Sequence, residues 1–297
     1  ASVAFYGQVT NGLPYQQIVL PLPQLSAEQL EILPLYTSCM TEFGIGEKGY
    51  AEVQNWQSRI SGGVNCFSSI RSAKNDEQSA SGYLTLSSKA LSSNHREMSA
   101  LLKATLSETR FDETQRLADL IEQICARKEA SITGQGHSLA MSLACSRMSP
   151  VAQLDHQFGG LEGIHRLQKH REALSRAVER DKLIARMQEL HETLLMSPKQ
   201  FLLIDEADRK NTLMADLVAN WDDNLDAQLQ TQLTLQPVRE QLIEAWSTST
   251  QVSFCAKAYP TVCSNHPDHA VLQVLAGFLR NGFLHTAIRE KGGAYGG

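Results

Sequence analysis

The middle of the chain restricts its fold more than any other feature. For about a hundred residues, apolar side chains recur at intervals of three and four, the period of helices with one buried face. One such stripe consists of Leu117, Leu120, Ile121, Ile124 and Cys125. Patterns typical of strands lie before and after this region rather than within it. Separate runs of strands and helices predict an α+β fold, with an antiparallel sheet and helices mainly on one face.

The segments typical of strands are short and bounded by breaking residues. Residues 15–20 predict a strand that Pro21 ends, and residues 64–70 and 82–87 predict an antiparallel pair joined by a polar loop over 72–79. Residues 201–204 are all apolar. We expect them to form an interior or near-edge strand, followed by exposed acidic residues.

Helix boundaries are indicated by capping residues. Ser26, with Gln29 three positions later, is typical of a capping box that begins a helix running towards Phe43. A second helix is predicted over residues 50–60 and a long one over roughly 172–195.

These elements predict two units of unequal completeness. Residues 1–208 are expected to form one complete domain. Residues 209–297 are expected to hold a connector and the start of a second, similar domain, because a strand pattern over 251–259 is followed by a very apolar helix over roughly 267–289.

Charge and cysteine content narrow the partners and the compartment. The 297 residues carry 27 basic and 32 acidic side chains, a balance that favours neither nucleic acid nor an anionic membrane as a partner. No two of the six cysteines form a C-x-x-C pair, so we expect small buried side chains in a reducing compartment such as a bacterial cytoplasm or an organelle matrix. These are Cys39, Cys66, Cys125, Cys145, Cys255 and Cys263.

Two short motifs are typical of nucleotide-binding proteins but lack the context that this chemistry needs. Residues 201–208 read FLLIDEAD, yet no phosphate-binding G-x-x-x-x-G-K-[ST] occurs in the chain. Residues 44–49 match G-x-G-x-x-G, but a predicted helix precedes them where a dinucleotide site requires a strand. We therefore expect a turn between two helices at 44–49.

Metal ligands are scattered rather than grouped in a complete set. Cys263, His266 and His269 have ligand spacing, but Pro267 is typical of the first position of a helix with His266 as its cap. His191 and Glu192 begin an H-E-x-x-H motif that Leu195 leaves incomplete. We expect no metal in this chain.

The end of the chain carries its most specific pattern. Residues 284–296 read LHTAIREKGGAYG, which resembles the fourth-domain signature of the pitrilysin/insulinase superfamily of zinc metallopeptidases, in its presequence-protease and falcilysin branch. Residues 10–15, 33–36 and 61–64 resemble the opening strand, a helix and a further strand of that branch's third domain.

The resemblance implies a function in peptide degradation. In this superfamily four similar α+β domains form two half-shells around a chamber that takes unfolded peptides, and the first half binds zinc through H-x-x-E-H. This chain would then be the third domain and the start of the fourth. It would supply chamber wall and substrate contacts, and the N-terminal catalytic half of the same polypeptide would hold the zinc. A non-catalytic homologue, acting as a peptide-binding or structural subunit, is the alternative.

The resemblance also implies roles for particular residues. Arg289 and Tyr295 match positions that reach the substrate near the zinc, and Gly292 and Gly293 would let the chain approach the substrate closely. A guanidinium and a phenol aimed at the scissile peptide would stabilise the anion of its transition state. The residues alone are also compatible with a cation at the end of a helix and an ordinary strand tyrosine.

Overall fold

The structure is a computed structural model that describes residues 3–221 and 232–294. One five-stranded sheet lies among these residues, in the order β1-β5-β2-β4-β3. Its strands are β1 Val3–Gly7, β2 Tyr15–Pro21, β3 Val64–Ala73, β4 Asp76–Lys89 and β5 Gln200–Asp205. Neighbouring strands are antiparallel except β1 and β5, which pair in parallel. The predicted α+β class is confirmed, and β1 is an addition that the sequence analysis missed.

The hairpin of β3 and β4 is longer than predicted. The segment expected as a polar loop, residues 72–79, is mostly strand, and the turn comprises only Lys74 and Asn75. The prediction was wrong because backbone hydrogen bonds hold this end of the hairpin, and they do not require apolar side chains. Ser72 is typical of a turn in sequence but pairs here with Ala80, and the register of the hairpin shifts between Ser72 and Ala73.

Ten helices lie among the described residues. They are α1 Ala27–Cys39, α2 Tyr50–Ile60, α3 His95–Glu108, α4 Thr114–Gly134, α5 Gly136–Cys145, α6 Pro150–Gly159, α7 Leu161–Ala173, α8 Ala177–Leu195, α9 Lys210–Asn220 and α10 His269–Leu279, with a π-helical continuation over Arg280–Lys291. The predicted capping box is present, since Ser26 Oγ accepts from Gln29 N and Gln29 Oε1 accepts from Ser26 N. The helix expected over 172–195 is divided in two. Its first residues end α7, residues 174–176 form a break, and α8 begins at Ala177.

The helices pack against one face of the sheet. Alternate residues of β2 and β5, among them Ile18, Phe201 and Leu203, are buried there with side chains of α1, α3, α4 and α8. Leu213 and Leu217 of α9 belong to the same core. Helix α9 therefore packs on the first unit, and the boundary between residues 208 and 209 stays a prediction.

The segment after residue 231 differs from its prediction in one respect. No strand is present at 251–259 among the described residues. A strand needs the backbone of a neighbour, and no described strand pairs with this segment. The helix predicted over 267–289 is confirmed as α10 and its π-helical continuation. Several of its apolar side chains are exposed, namely Val271, Val274, Leu275, Phe278, Leu279 and Phe283. No described helix is both long and apolar enough to cross a membrane.

Candidate functional site

The end of the π-helical segment holds three of the four residues predicted to contact substrate. Arg289 lies in its last turn with an exposed side chain. Among the described residues no group pairs with its guanidinium, whereas its neighbour Glu290 lies 3.4 Å from His285 (Oε1 to Nδ1). Arg289 is thus an exposed side chain without an ion pair in the described part of the chain. Tyr295, the fourth residue, lies outside the described residues.

Two glycines form a tight turn three and four positions after Arg289. Gly293 has a φ of 72°, in the left-handed region that side chains disfavour, and its N–H donates to Arg289 O at 3.1 Å. A Cβ on Gly292 would lie 2.6 Å from Ile288 O. Larger residues would therefore open this turn and move the chain that leads to Tyr295.

The face of the sheet that no described helix covers, here called the open face, is a second candidate surface. It is formed by the alternate residues that point away from the helices, and its aromatic members Tyr6, Tyr15 and Phe67 are 58%, 39% and 45% exposed. The pairing of the strands places residues of this face side by side in rows that run across the sheet. One row consists of Tyr6, Ile204, Tyr15 and Lys89, and the next of Ala4, Leu202, Gln17, Ser87 and Asn65. Aromatic, amide and hydroxyl groups thus form a broad surface able to contact polypeptide backbone and side chains.

Sequence reasoning missed this face. Residues 15–20 alternate only weakly in polarity, because Gln16 points into the core while Val19 lies on the open side. Only the positions of the neighbouring strands identify which side of β2 is uncovered.

The G-x-G-x-x-G segment is a turn between two helices, as predicted. Its amides bind a carboxylate of the chain itself: Glu113 accepts from Gly44 N at 2.5 Å and from Tyr50 N at 2.9 Å. Arg110 Nη1 donates to Gly46 O at 3.0 Å. The donors that a phosphate would need are therefore already used.

The acidic residues that follow Ile204 match their prediction only in part: Asp208 is exposed, whereas Asp205, the last residue of β5, is fully buried. Its Oδ1 accepts from Thr10 Oγ1 at 2.7 Å, and its Oδ2 accepts from Arg209 Nε at 2.9 Å. Glu206 accepts from the amides of Thr10 and Gly12, both at 3.3 Å. Hydrogen bonding with Asp205, and then with Thr10, lowers the pKa of Glu206 to about 2. This pair anchors the turn that leads into β2.

The cluster of possible metal ligands near residue 263 is not a metal site. Cys263 Sγ donates to Glu77 Oε2 at 2.9 Å, and this hydrogen bond is the main reason why the pKa of the thiol is raised. His266 Nδ1 accepts from Asp268 N, and His269 Nε2 lies 3.2 Å from Gln273 Nε2. Nowhere in residues 3–221 and 232–294 do three His, Cys, Asp or Glu side chains form a group that could hold a metal. These residues do not fit the zinc that the resemblance implies for the parent enzyme.

The cysteines differ in exposure. Cys39 and Cys125 are buried, as predicted, whereas Cys255 is exposed, because the segment around it forms no strand. Burial raises the pKa of the Cys39 and Cys66 thiols to about 12. Both thiols are therefore protonated near neutral pH and poorly nucleophilic.

His191, from the incomplete zinc motif, has a structural contact instead. Its Nδ1 lies 2.8 Å from Tyr36 Oη, joining α8 to α1 inside the core. Phe111 meets its ring edge-on, with 5.2 Å between centroids. Burial lowers the pKa of His191 to about 4. This side chain therefore remains neutral at physiological pH.

Comparison with known proteins identifies the family of the chain. The family model for the region associated with peptidases of family M16, subfamily C, matches residues 1–170, more than half of the sequence. The chain belongs to this peptidase-associated family. The resemblance to the presequence-protease branch is thereby confirmed.

Relatives match over nearly the whole chain. The mitochondrial presequence protease of Yarrowia lipolytica is 29% identical over 291 residues, which cover 97% of this chain and 29% of that protein. The mitochondrial presequence protease of Drosophila melanogaster is 26% identical and covers 97% and 28%. The chloroplastic/mitochondrial presequence protease 1 of Arabidopsis thaliana is 24% identical and covers 97% and 26%. The chain thus spans between a quarter and a third of the length of these relatives.

Solved structures agree on the fold. A conserved protein from Enterococcus faecalis V583 matches with a TM-score of 0.50 and 11% identity, covering 77% of this chain and 51% of that one. The first half of the periplasmic protease PqqL from Escherichia coli matches with a TM-score of 0.50 and 14% identity, covering 78% and 46%. These likenesses concern the fold of the chain alone.

Proposed function

We propose that this chain is part of a zinc metalloendopeptidase that degrades unfolded peptides inside a closed chamber. The observation that carries the proposal is the match of almost the entire chain to proteins named presequence proteases. The chain supplies chamber wall and substrate contacts. An N-terminal catalytic half of the same polypeptide supplies the zinc, because the described residues of this chain offer no fitting ligand set.

The open face of the sheet is the part of the chain that lines the chamber. Helices cover the opposite face, so this is the broad side of the sheet that the described residues leave open to a peptide. Tyr15 and Phe67 offer aromatic contact, and Gln17 and Asn65 offer amide donors and acceptors. Such a mixed surface holds extended chains of varied sequence, because it contacts both backbone and side chains.

Arg289 and Tyr295 contact the reacting peptide from the fourth domain. A scissile carbonyl becomes an oxyanion in the tetrahedral transition state, and a guanidinium or phenol donates more strongly to that anion than to the neutral carbonyl. Two observations support this role: the side chain of Arg289 is exposed and pairs with no described residue, and a tight turn follows at Gly292 and Gly293.

Partners and compartment follow from the same relatives. The partners are unfolded peptides and the catalytic half of the polypeptide, with no role for nucleic acid or a membrane surface. Several relatives are named mitochondrial, so an organelle matrix is the proposed compartment. That compartment suits a chain whose six cysteines are all free thiols.

Measurements of peptide hydrolysis and zinc content test whether the catalytic half, and not this chain, binds the zinc. The isolated chain should bind no stoichiometric zinc after a chelator wash and should cleave no unfolded peptide. The complete parent enzyme should do both. Zinc that is lost from the isolated chain on changing Cys263 to Ala, or an inactive parent that still binds peptide, would contradict the proposal. The second result would favour a non-catalytic peptide-binding homologue.

Substitutions on the open face test the chamber wall. In the parent enzyme, Tyr15→Ser with Phe67→Ser should raise KM for a long unfolded peptide several-fold, since each removes an exposed aromatic contact. Val178→Ser is the matched control, because Val178 is 67% exposed on α8, on the helical side. If the Tyr15→Ser/Phe67→Ser variant and the Val178→Ser control change KM by the same factor, the open face does not bind substrate.

A further inference from the structure

A buried polar cluster joins β2, α3 and α9. Ser99 Oγ of α3 accepts from Gln16 Nε2 of β2 and from Trp221 Nε1, which directly follows α9, each at 3.2 Å. His95 lies one turn before Ser99, and its Nδ1 is 3.0 Å from Asp216 Oδ2 of α9. Gln16, His95 and Ser99 are all fully buried. The cluster therefore links α3, α9 and Trp221 to β2.

Two atoms of this cluster are buried without a hydrogen-bond partner among the described residues. They are Gln16 Oε1 and His95 Nε2. An unpaired buried polar atom is costly, and native proteins commonly satisfy such atoms with an internal water that makes two to four hydrogen bonds.

The chemistry of both atoms is that of an acceptor. In a neutral imidazole, donation of the Nδ1 proton to the Asp216 carboxylate makes Nε2 of His95 the acceptor nitrogen. Gln16 Oε1 is a carbonyl oxygen. Two acceptors cannot bond each other, but a molecule with two donors can join them. His95 and Ser99 share one face of α3 at a spacing of four residues, and Gln16 Nε2 donates to Ser99 Oγ, so both side chains reach into the same junction.

We propose that one internal water molecule binds at this junction, donating one hydrogen bond to Gln16 Oε1 and one to His95 Nε2. The water completes a buried network from Trp221 through Ser99, Gln16 and His95 to Asp216. It thereby holds both ends of the contact between α9 and the sheet.

A crystal structure of the chain at a resolution that shows ordered water tests the site directly. We expect a density peak within about 3.2 Å of both Gln16 Oε1 and His95 Nε2. A dry site would overturn the proposal. So would a rotated Gln16 amide whose nitrogen donates directly to His95 Nε2, since no water is then needed.

A double-mutant cycle supplies a second measurement in solution. Gln16→Met removes one acceptor, and His95→Asn keeps a group near Nδ1 for Asp216 but removes Nε2. If one water joins the two side chains, the cost of the double variant should differ from the sum of the singles by at least about threefold in the unfolding equilibrium constant. Additive costs would overturn the proposal, and if a variant fails to fold the crystal structure decides.

The control cycle pairs Gln16→Met with Thr193→Val. Thr193 accepts from Gln29 Nε2 at 3.2 Å between α8 and α1, outside this cluster. Its effect should be additive with that of Gln16→Met to within about twofold.

Discussion

The buried pair of Tyr36 and His191 should make the stability of the domain sensitive to mild acid. An ordinary histidine titrates near pH 6.5, whereas burial lowers the pKa of His191 to about 4. Between these values the unfolded chain binds a proton that the folded chain does not. The contribution of His191 to stability should therefore be constant above about pH 6.5, fall as the pH drops towards 4, and level off below it.

The size of the effect follows from the separation of the two pKa values. One pKa unit corresponds to about 1.4 kcal/mol, so His191 alone should lower the free energy of unfolding by about 2 kcal/mol between pH 6.5 and pH 5. Burial also lowers the pKa of His170 and His156, which adds to the loss in the same direction. The contribution of His191 is isolated by comparing variants.

Three variants separate the hydrogen bond from the titration. Tyr36→Phe leaves a buried imidazole nitrogen unpaired and should cost about 1–3 kcal/mol at pH 7.5, while the acid sensitivity remains. Tyr36→Phe combined with His191→Leu removes both polar groups, so it should recover much of that loss and remove about 2 kcal/mol of the acid sensitivity. His137→Gln, at an exposed position on α5, is the control.

Urea unfolding monitored by circular dichroism at pH 7.5, 6 and 5 measures all of these quantities. If the double variant loses as much stability between pH 7.5 and 5 as the wild type does, His191 does not titrate as described. The reasoning from its burial would then be wrong.

The remaining predictions concern two carboxylates and a turn. Glu113→Gln should destabilise the protein by about 1–3 kcal/mol in urea unfolding, since it weakens the acceptor for the amides of Gly44 and Tyr50; no change would show that these contacts add nothing. Glu206 should contribute stability fully above about pH 4.5 and lose it as the pH falls towards 2, so Glu206→Gln should flatten the unfolding profile in that range, and an unchanged profile would refute it. Gly293→Ala should lower activity of the parent enzyme while leaving the melting temperature of the first unit unchanged, because it strains only the turn after Arg289; a lower melting temperature with full activity would contradict this.

Local signals in the sequence were sufficient for several elements. The capping box at Ser26 begins α1, and α2 spans the predicted Tyr50–Ile60, because caps and glycine breaks act within a few residues of the boundary. The turn at 44–49 was predicted from the helix before it. These features depend on neighbours in sequence, so the sequence contains them directly.

The errors arose where partners are distant in sequence. Asp205 is buried because Thr10, 195 residues away, donates to it, and no local pattern predicts that contact. Gln16 is a polar residue in the core because Ser99 of α3 accepts its amide hydrogen. The strand pattern at 251–259 has no described neighbour to pair with, and alternation alone does not hold a strand.

The same division applies to the candidate site. The glycine turn and the helix that ends after Arg289 follow from the residues themselves. The open face of the sheet depends on which strands lie side by side. Its members, such as Tyr6 of β1 and Tyr15 of β2, come together only through β5, which pairs with both.

The turnover of Tyr295→Phe in the complete parent enzyme tests the central claim most directly. This change keeps the ring and removes one hydroxyl donor, which typically costs about 10²–10³ in rate, or about 2.7–4 kcal/mol of transition-state stabilisation. The loss should fall on kcat rather than KM, because the oxyanion exists only in the transition state.

Arg289→Lys extends the same measurement. Lysine keeps the positive charge but not the planar fork of donors, so this variant should retain only part of the wild-type activity. The double variant should cost less than the sum of the singles if both side chains serve one oxyanion. The account predicts a large fall in kcat with an unchanged melting temperature. An unchanged kcat with a melting temperature lowered by several degrees would show that Tyr295 is structural and would contradict it.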